Sequence, residues 1–387
     1  MAGGGHIKTG DAPSPTLPSH GIPCRPVGDR MAQGQGRSTM ETIRKNNFDF
    51  LRLLAASLVF LSHERSISGQ LDPAIFPNLT FGKLGVCIFF AISGYLVTES
   101  WNRDPHPIRF LMKRILRIWP GLIAATVLVT LVIGPWVTTL SLKAYFSDPL
   151  LLTYWQVLRL KISFALPGVF ENNPYPSSVN GSLWTIPIEV QCYLILLVLG
   201  LCRITRFGAL FIVLNILVGW LSFNLEIVTQ DNFNLIDLGL YFAYGICLST
   251  GQRYWTQAPM VCLAACLAIS SLYYHLGLYP LALWMTLPYL VILIGTRSSP
   301  WIREVGRYGD FSYGVYIYAF PIQQTVAHFL HDSLSYGALF ALSYGLTLLA
   351  AGLSWYGIER PALRLKPLSN RANAQPVSSE PAHRPTH

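Results

Sequence analysis

The segment from Phe48 to His63, FDFLRLLAASLVFLSH, places an arginine and a histidine within an otherwise apolar stretch. Arg52 and His63 are eleven residues apart, and eleven helical steps of about 100° end within roughly 20° of a whole number of turns. Both side chains are therefore predicted to project from one face of a helix, about 16 Å apart along its axis. Ala56 and Val59 lie between them on that face, and their small size predicts a groove.

This arrangement suits a long ligand with an anionic head and a reactive tail, such as coenzyme A with a thioester at the end of its pantetheine arm. A guanidinium binds phosphate through parallel hydrogen bonds, and a neutral imidazole acts as a general base or carries an acyl group. We therefore predict that Arg52 grips phosphate while His63 meets the thioester or the incoming hydroxyl. Asp49, three residues before Arg52, is predicted to orient the guanidinium.

A second interpretation of the same pair needs no ligand. An arginine near the end of a membrane helix also serves as an interfacial anchor. A histidine within a helical bundle also forms hydrogen bonds between helices. Arg52 and His63 alone fit both interpretations equally well.

Two further segments place charged residues against or inside apolar stretches. RFLMKRILRIWP puts Arg114 and Arg117 on one helical face, and Arg117, nearest the hydrocarbon, fits a phosphate site better than simple anchoring. NGSLWTIPIEVQCYLI contains Glu189, and a carboxylate inside a membrane marks a functional or paired position. Glu189 is predicted to orient His63, raise its basicity or neutralise an arginine; pairing for structure alone is the alternative.

The composition indicates that membrane helices position these residues. Of 387 residues, 52% are hydrophobic and 12% charged, with a mean hydropathy of +0.40, whereas soluble domains carry about 25% charged residues. Apolar runs recur that are long enough to cross about 30 Å of hydrocarbon. We predict an all-α polytopic membrane protein with ten transmembrane helices in one bundle, at 48–66, 84–101, 117–138, 183–201, 207–222, 235–250, 259–275, 279–295, 311–329 and 336–357.

The distribution of Lys and Arg orients these predicted spans. Basic residues concentrate before the first span, in the 102–116 loop and after the last span, whereas loops 223–234, 276–278 and 330–335 contain none. The positive-inside rule then places both termini in the cytoplasm. The net charge of +9 is explained by this topology, and no nucleic-acid partner is expected because no basic stripe is interleaved with aromatic residues.

The two ends of the chain differ from the apolar part. Residues 1–45 and 366–387 are expected to be disordered cytoplasmic tails, since they lack a periodic apolar pattern. Residues 46–365 are then the transmembrane domain. The seven cysteines lack paired CxxC spacing, so neither a disulfide framework nor a metal site is expected.

Six motifs, in order, resemble those of the acyltransferase 3 family, bacterial membrane proteins that O-acylate sugars and other hydroxyl compounds. The resemblance extends over residues 46–365. Two positions depart from the family pattern, because Ala319 stands where a histidine is frequent and Cys87 where many members have aspartate. The six motifs are FDFLRLLAASLVFLSH, GKLGVCIFFAISGYLV, RILR, NGSLWTIPIEVQCY, SYGVYIYAFPI and IERPALRL.

The resemblance implies transfer of an acyl group, expected to be acetyl, from cytoplasmic acyl-CoA to a hydroxyl of a carbohydrate such as a cell-surface polysaccharide or its lipid-linked precursor. It implies a multi-pass protein of the bacterial inner membrane, with the lipid bilayer and polysaccharide-assembly proteins as partners. It also assigns site residues. The catalytic residues would be His63 and Glu189; the acyl-CoA site would comprise Asp49, Arg52, Arg114 and Arg117; the substrate-binding candidates are Trp184, Tyr313 and Tyr316.

Functions of other classes fit part of this pattern. A polytopic carrier or exporter of a polar or anionic solute would use buried Arg, His and Glu side chains as a translocation path. A structural subunit of a polysaccharide-assembly complex would use them for packing alone. Tyrosines near helix ends, such as Tyr313 and Tyr316, are also typical interfacial anchors. Consumption of a thioester separates the enzyme from the carrier.

Overall fold

The computed structural model describes residues 46–76, 79–203 and 233–367, together with Leu217 and Leu221. These residues are largely helical; the strands among them are Ala74–Phe76 (β1) and Leu79–Thr80 (β2), which pair antiparallel. The all-α prediction is therefore confirmed for the described part of the chain. Both predicted tails and the predicted span 207–222 lie outside the described residues, apart from the few positions named above.

Nine long helices form the described bundle. Helix α3 continues through a π-helical turn, Val129–Ile133, to Val137, and a 3₁₀ turn, Gly181–Trp184, leads into α6. Two short helices, α4 and α5, lie between them. In chain order the helices are α1 (Phe48–Ile67), α2 (Phe81–Arg103), α3 (Pro107–Leu128), α4 (Leu142–Ser147), α5 (Pro149–Trp155), α6 (Thr185–Leu201), α7 (Phe233–Thr250), α8 (Pro259–His275), α9 (Tyr279–Thr296), α10 (Ser312–Leu330) and α11 (Tyr336–Ser354).

Five helical segments within the described ranges are long and apolar enough to cross a membrane, while α7 and α8 are shorter apolar helices. Helices α1 and α10 meet neither description, although both coincide with predicted spans. In α1 the reason is charge, because Asp49, Arg52, Glu64 and Arg65 share one helix. The predicted number of ten spans is therefore not confirmed. The five segments are Phe81–Arg103, Pro107–Val137, Gly181–Leu201, Tyr279–Thr296 and Tyr336–Arg364.

Glycines bring the central helices into close contact. A Cβ at Gly94 of α2 would collide with the carbonyl of Phe242 in α7, and one at Gly245 would collide with the carbonyl of Ala91. Gly85 of α2 approaches the main chain of α1 in the same way. Small residues at such crossings let helices gain van der Waals contact within a membrane. Helix α2 is thereby fixed between α1 and α7.

The connecting segment, residues 138–184, builds a small core of its own against the end of α3. Its buried side chains include Tyr145, Tyr154 and Phe170, which pack with Val129 and other apolar residues of α3. The Tyr145 hydroxyl donates to the carbonyl of Thr130 in the π-helical turn at 2.9 Å. This segment is consequently a folded part of the molecule, and it leads directly to the start of α6.

Candidate active site

Arginines from two helices meet at the N-terminal end of α1. Arg52 Nη1 of α1 lies 3.2 Å from Asp310 Oδ2, and Arg117 Nη2 of α3 lies 2.7 Å from the same oxygen. Asp310 lies two residues before the start of α10, and its other oxygen accepts a hydrogen bond from Ser312 at 2.5 Å. One carboxylate therefore connects α1, α3 and α10. We call Arg52, Arg114, Arg117 and Asp310 the arginine cluster.

The carboxylate that contacts the Arg52 guanidinium is distant in the sequence. It belongs to Asp310, 258 residues from Arg52. Asp49, the partner predicted from the sequence, lies beside Gly306, where an added Cβ would collide with its carboxylate. Orientation of Arg52 by Asp49 stays a prediction.

Arg114 is held by neutral groups. Its Nη2 donates to Ser100 Oγ at 3.3 Å, and its guanidinium lies over the rings of Phe110 and Tyr193, 5.7 and 5.6 Å from their centroids. Among the described residues no carboxylate forms an ion pair with it, and its buried Nε has no hydrogen-bond partner. A cation in this state favours an anionic ligand, because a buried charge is costly unless it is paired.

Glu189 of α6 belongs to the arginine cluster's surroundings rather than to those of His63. Its Oε1 accepts hydrogen bonds from the hydroxyl of Tyr193 and, at 3.4 Å, from that of Ser93. Tyr193 is also the ring beneath Arg114, so a carboxylate, a phenol and a guanidinium form a continuous polar chain. Of the roles predicted for Glu189, neutralisation of arginine charge fits this geometry best.

His63 projects from α1 toward the middle of α10. Its ring packs edge-on against Phe320, with centroids 5.0 Å apart and planes at 77°. Its Nδ1 lies 3.5 Å from Ser182 Oγ. Arg52 contacts Asp310, two residues before α10, and His63 contacts Phe320 near the centre of α10. Both side chains therefore face the same neighbouring helix, in agreement with the helical spacing. We call His63, Ser182, Phe320 and Asp72 the histidine site.

Ser182 reaches His63 because the residues before α6 are bound to α10. Asn180 Nδ2 donates to the carbonyl of Ile317 at 2.9 Å, while Asn180 Oδ1 accepts from the Ser182 main-chain N–H at 3.2 Å. Gly181 permits this approach, since a Cβ there would lie 2.6 Å from the Phe320 ring. The sequence prediction did not include Ser182. The Asn-Gly-Ser stretch before the Ser-Leu-Trp motif is the signal that could have found it.

The residues on either side of His63 in the chain involve acids that the sequence prediction also omitted. Ser62 donates a hydrogen bond through its hydroxyl to Asp72, just after α1. Glu64, the residue after His63, is only 2% exposed.

The groove predicted along α1 between Arg52 and His63 was wrong. Ala56 and Val59 are only 1% and 3% exposed. Ala56 packs with Val315 of α10 and Ala351 of α11, and Val59 is approached by Gly85 of α2. Small residues drew neighbouring helices into contact instead of leaving space.

The predicted aromatic residues are distributed between the two sites. Tyr313 lies under the Arg117 guanidinium, 5.6 Å from it, and its hydroxyl donates to a main-chain carbonyl of α3. Tyr316, one turn further along α10, forms a 2.7 Å hydrogen bond with Thr185 Oγ1. Trp184 follows Ser182 in the 3₁₀ turn and packs, partly buried, against the main core. Their role in substrate binding stays a prediction.

The two sites together offer an anion-binding end and an acid–base or nucleophilic end. Among the residues that the structure describes, no group of three or more His, Cys, Asp or Glu side chains is arranged to hold a metal ion. The side chains in the two sites offer guanidinium groups that can bind an anion and an imidazole that is hydrogen-bonded to a serine.

Comparison with known proteins identifies the class of this chain. Residues 45–356 match the family model described as an acyltransferase domain. The O-acetyl transferase of Shigella phage Sf6 is 32% identical over 329 residues, covering 82% of this chain and 96% of the phage protein. Nodulation protein 10 of Rhizobium leguminosarum bv. viciae is 29% identical over 360 residues, covering 83% of this chain and 94% of that protein.

A third relative comes from Komagataeibacter xylinus, where the protein BcsY carries a name that describes a membrane-bound transacylase. It is 26% identical over 359 residues, covering 86% of this chain and 88% of its own length. No solved structure matches the chain significantly. The family match covers most of the chain, including every residue of both sites, and confirms the resemblance seen in the six motifs. The chain is an acyltransferase and belongs to the acyltransferase 3 family.

Proposed function

We propose that this acyltransferase moves an acyl group, acetyl in the expected case, from cytoplasmic acyl-CoA to a hydroxyl of a carbohydrate such as a cell-surface polysaccharide or its lipid-linked precursor. The observation that carries the proposal is the separation of two chemistries along α1, with guanidinium groups at one end and a hydrogen-bonded imidazole about 16 Å further on. A donor whose phosphates and thioester lie at opposite ends of an extended arm fits this separation. The phage relative named O-acetyl transferase supports acetyl transfer to oxygen.

The arginine cluster is proposed to bind the phosphates of the donor. Arg52 and Arg117 share one aspartate, and Arg114 pairs with no described carboxylate, so positive charge is left for a phosphate. Guanidinium forks suit phosphate because they donate two hydrogen bonds in parallel. Glu189, acting through Tyr193, would hold Arg114 in place rather than take part in the reaction.

His63 is proposed to act on the acceptor hydroxyl or on the thioester. Ser182 lies at Nδ1, and no described residue forms a hydrogen bond with Nε2. As a general base, Nε2 takes the hydroxyl proton while the oxygen attacks the thioester carbonyl; the C–S bond then breaks and the proton passes to the departing thiolate. As a nucleophile, Nε2 attacks the thioester carbonyl, the C–S bond breaks and the CoA thiolate leaves. The acceptor hydroxyl oxygen then attacks the acyl-imidazole, the C–N bond breaks, and the hydroxyl proton passes to the released imidazole. Incubation of the protein with labelled acetyl-CoA in the absence of acceptor distinguishes the two roles of His63, because only the nucleophilic role leaves a labelled acyl group on the protein.

We further propose that the protein spans the bacterial inner membrane several times with both termini in the cytoplasm. The support is the concentration of Lys and Arg in alternate loops. The arginine cluster then faces the cytoplasm, where acyl-CoA is available. The histidine site lies deeper, toward the connecting segment, and polysaccharide-assembly proteins would be neighbours on that side.

The test uses the purified full-length protein with radiolabelled acetyl-CoA. The acceptor is alkali-deacylated surface polysaccharide from a strain lacking the gene. We expect label to enter the polysaccharide together with release of CoA, and we expect His63→Ala to abolish both. His275→Ala, at an exposed position at the end of α8, is the matched control and should behave as the wild type.

Surface polysaccharide of the deletion strain should also lose O-acyl signals in NMR spectra relative to its parent. Unchanged O-acyl content, with no transfer by the purified protein, would contradict the proposal. A carrier would instead move solute into vesicles without consuming thioester.

A further inference from the structure

An exposed aromatic ring stands next to the histidine site. Tyr175 is 42% exposed and belongs to the polar, proline-containing stretch ENNPYPSS. Its ring packs edge-on against Phe320, with centroids 5.9 Å apart and planes at 79°. Phe320 packs in the same manner against His63 at 5.0 Å. Phe320 therefore lies between Tyr175 and the imidazole and contacts both rings, while part of the Tyr175 side chain stays exposed.

The main chain around Tyr175 is fixed. Gln324 Nε2 of α10 donates to the carbonyls of Tyr175 and Ser178, each at 2.7 Å. Asn173, itself buried, donates to Gln324 Oε1 at 2.8 Å. Ser177 adopts a left-handed conformation, with φ of +56°, which a non-glycine residue keeps only where its surroundings enforce it. An exposed tyrosine on a chain held this tightly is preorganised for contact, because little entropy remains to be lost.

A carboxylate oxygen lies near the same imidazole. Asp72 is held through Oδ2 by the hydroxyl of Ser62, the residue next to His63 in the chain. Its Oδ1 has no hydrogen-bond partner among the described residues. A carboxylate oxygen in this state is an acceptor for a hydroxyl group from a ligand.

We propose that Tyr175 and Asp72 form the acceptor subsite of the enzyme, and this inference rests on the proposed function. The Tyr175 ring receives the apolar C–H face of a sugar ring, and Asp72 accepts a hydrogen bond from a hydroxyl next to the one that is acylated. A pyranose combines one apolar face with a rim of hydroxyls, so it matches an exposed ring beside a carboxylate. A lipid alcohol would require a continuous apolar groove, whereas Tyr175 lies in a polar stretch.

The test measures acetyl transfer at varied concentrations of the deacylated surface polysaccharide, with acetyl-CoA saturating. Tyr175→Ala should raise the KM for the polysaccharide about tenfold, and Tyr175→Phe should restore most of that affinity because packing uses the ring. Asp72→Asn should also raise this KM about tenfold. The acetyl-CoA Kd should stay at the wild-type value in all three. Tyr254→Ala, at a position 68% exposed elsewhere on the chain, is the matched control.

An unchanged polysaccharide KM in Tyr175→Ala would overturn the subsite. Equal losses of acetyl-CoA affinity and polysaccharide affinity would also overturn it, because the ring would then only support the fold. A failure of the proposed function would give a result that is distinguishable from a failure of the subsite. The wild type itself would transfer no acetyl group to the polysaccharide, and both proposals would fall together.

Discussion

The arginine cluster and the histidine site lie on the same helix but are built differently. The arginine cluster is assembled from side chains of two regular helices, α1 and α3, which meet at Asp310 just before α10. The histidine site depends on the connecting segment, which is irregular and folds onto α10 to supply Ser182. Packed regular helices are therefore enough to gather charge for binding. Orienting a reacting imidazole requires an additional segment with its own folded core.

The groups in contact with the two sites also differ. Arg52 and Arg117 contact a carboxylate, whereas His63 contacts a serine hydroxyl and an aromatic ring. Under the proposed function, an anionic donor would be held by its head at the cluster, and its uncharged thioester would approach the imidazole. If this division is correct, substitutions at the two sites should change different kinetic constants.

Removing the imidazole should give the largest effect. His63→Ala is expected to lower kcat by about 10³-fold or more, since general acid–base catalysis contributes roughly 10²–10⁴-fold. The acetyl-CoA Kd, measured by equilibrium binding, should stay near the wild-type value. His275→Ala controls for the loss of a histidine. A parallel loss of donor binding in His63→Ala would show that the two sites do not act separately.

Removing a guanidinium should give the complementary effect on donor binding. A charge-assisted hydrogen bond contributes about 1.5–3 kcal/mol, so Arg52→Ala should raise the acetyl-CoA Kd by roughly 10–150-fold. S-acetylpantetheine lacks the phosphates, and its affinity should be the same in the variant and the wild type. Arg253→Ala, at an exposed position after α7, is the matched control. Equal losses for both donors would contradict a phosphate role for Arg52.

Removing the Ser182 hydroxyl should give a smaller effect, which lowers the rate of the reaction and leaves donor binding unchanged. A neutral hydrogen bond contributes about 0.5–1.5 kcal/mol, so Ser182→Ala should lower kcat by roughly 2–13-fold. The Kd for acetyl-CoA should not change, and the pH profile of kcat should shift because Nδ1 has lost its partner. Ser177→Ala, in the same segment, tests whether any serine substitution there has this effect. An unchanged kcat and pH profile in Ser182→Ala would exclude orientation of His63 by this hydroxyl.

The smallest effect is expected beside the arginine cluster, where basic residues are already paired. Arg109 and Lys113 bind Asp104 at 2.6 and 2.7 Å. The hydrogen bond from Arg109 is the main reason that the pKa of Asp104 is lowered to about 2. Because the pKa is lowered on folding, this pairing stabilises the fold above about pH 4, and the stabilisation is lost as the pH falls toward 2.

Asp104→Asn should accordingly lower the Tm at pH 7 by a few degrees, since Asp104 is only 5% exposed and the substitution leaves Arg109 and Lys113 without their paired carboxylate. The difference in Tm between variant and wild type should shrink between pH 4 and pH 2, and thermal melts across this range provide the measurement. Acetyl-CoA affinity at pH 7 should be unchanged. A weakened affinity would mean that the cluster extends to Arg109 and Lys113.

Local geometry could be predicted from the sequence, whereas long-range partners could not. Helical spacing correctly predicted that Arg52 and His63 share one face of α1, because the rise and the rotation per residue of a helix are fixed. The neighbour on that face is α10. Asp310 is 258 residues from Arg52, and Ser182 is 119 residues from His63. No periodicity relates such positions, since only the packing of α10 and the connecting segment brings them together.

Hydropathy likewise identifies helices unevenly when they carry charge. Helix α1 bears Asp49, Arg52 and His63, and its charges exclude it from the segments that are apolar enough to cross a membrane. The groove expected at Ala56 was wrong for a related reason. Small side chains inside a bundle allow neighbouring helices to close on them, and residue size alone does not reveal which outcome occurs.

The sharing of Asp310 by two arginines has a consequence for the rigidity of the helices. One carboxylate joins a residue of α1, a residue of α3 and the segment that leads into α10. Under the proposed function, a phosphate that binds Arg52 and Arg117 would take the place of this carboxylate as their counterion. Donor binding and release of these three elements from one another would then be a single exchange of anions.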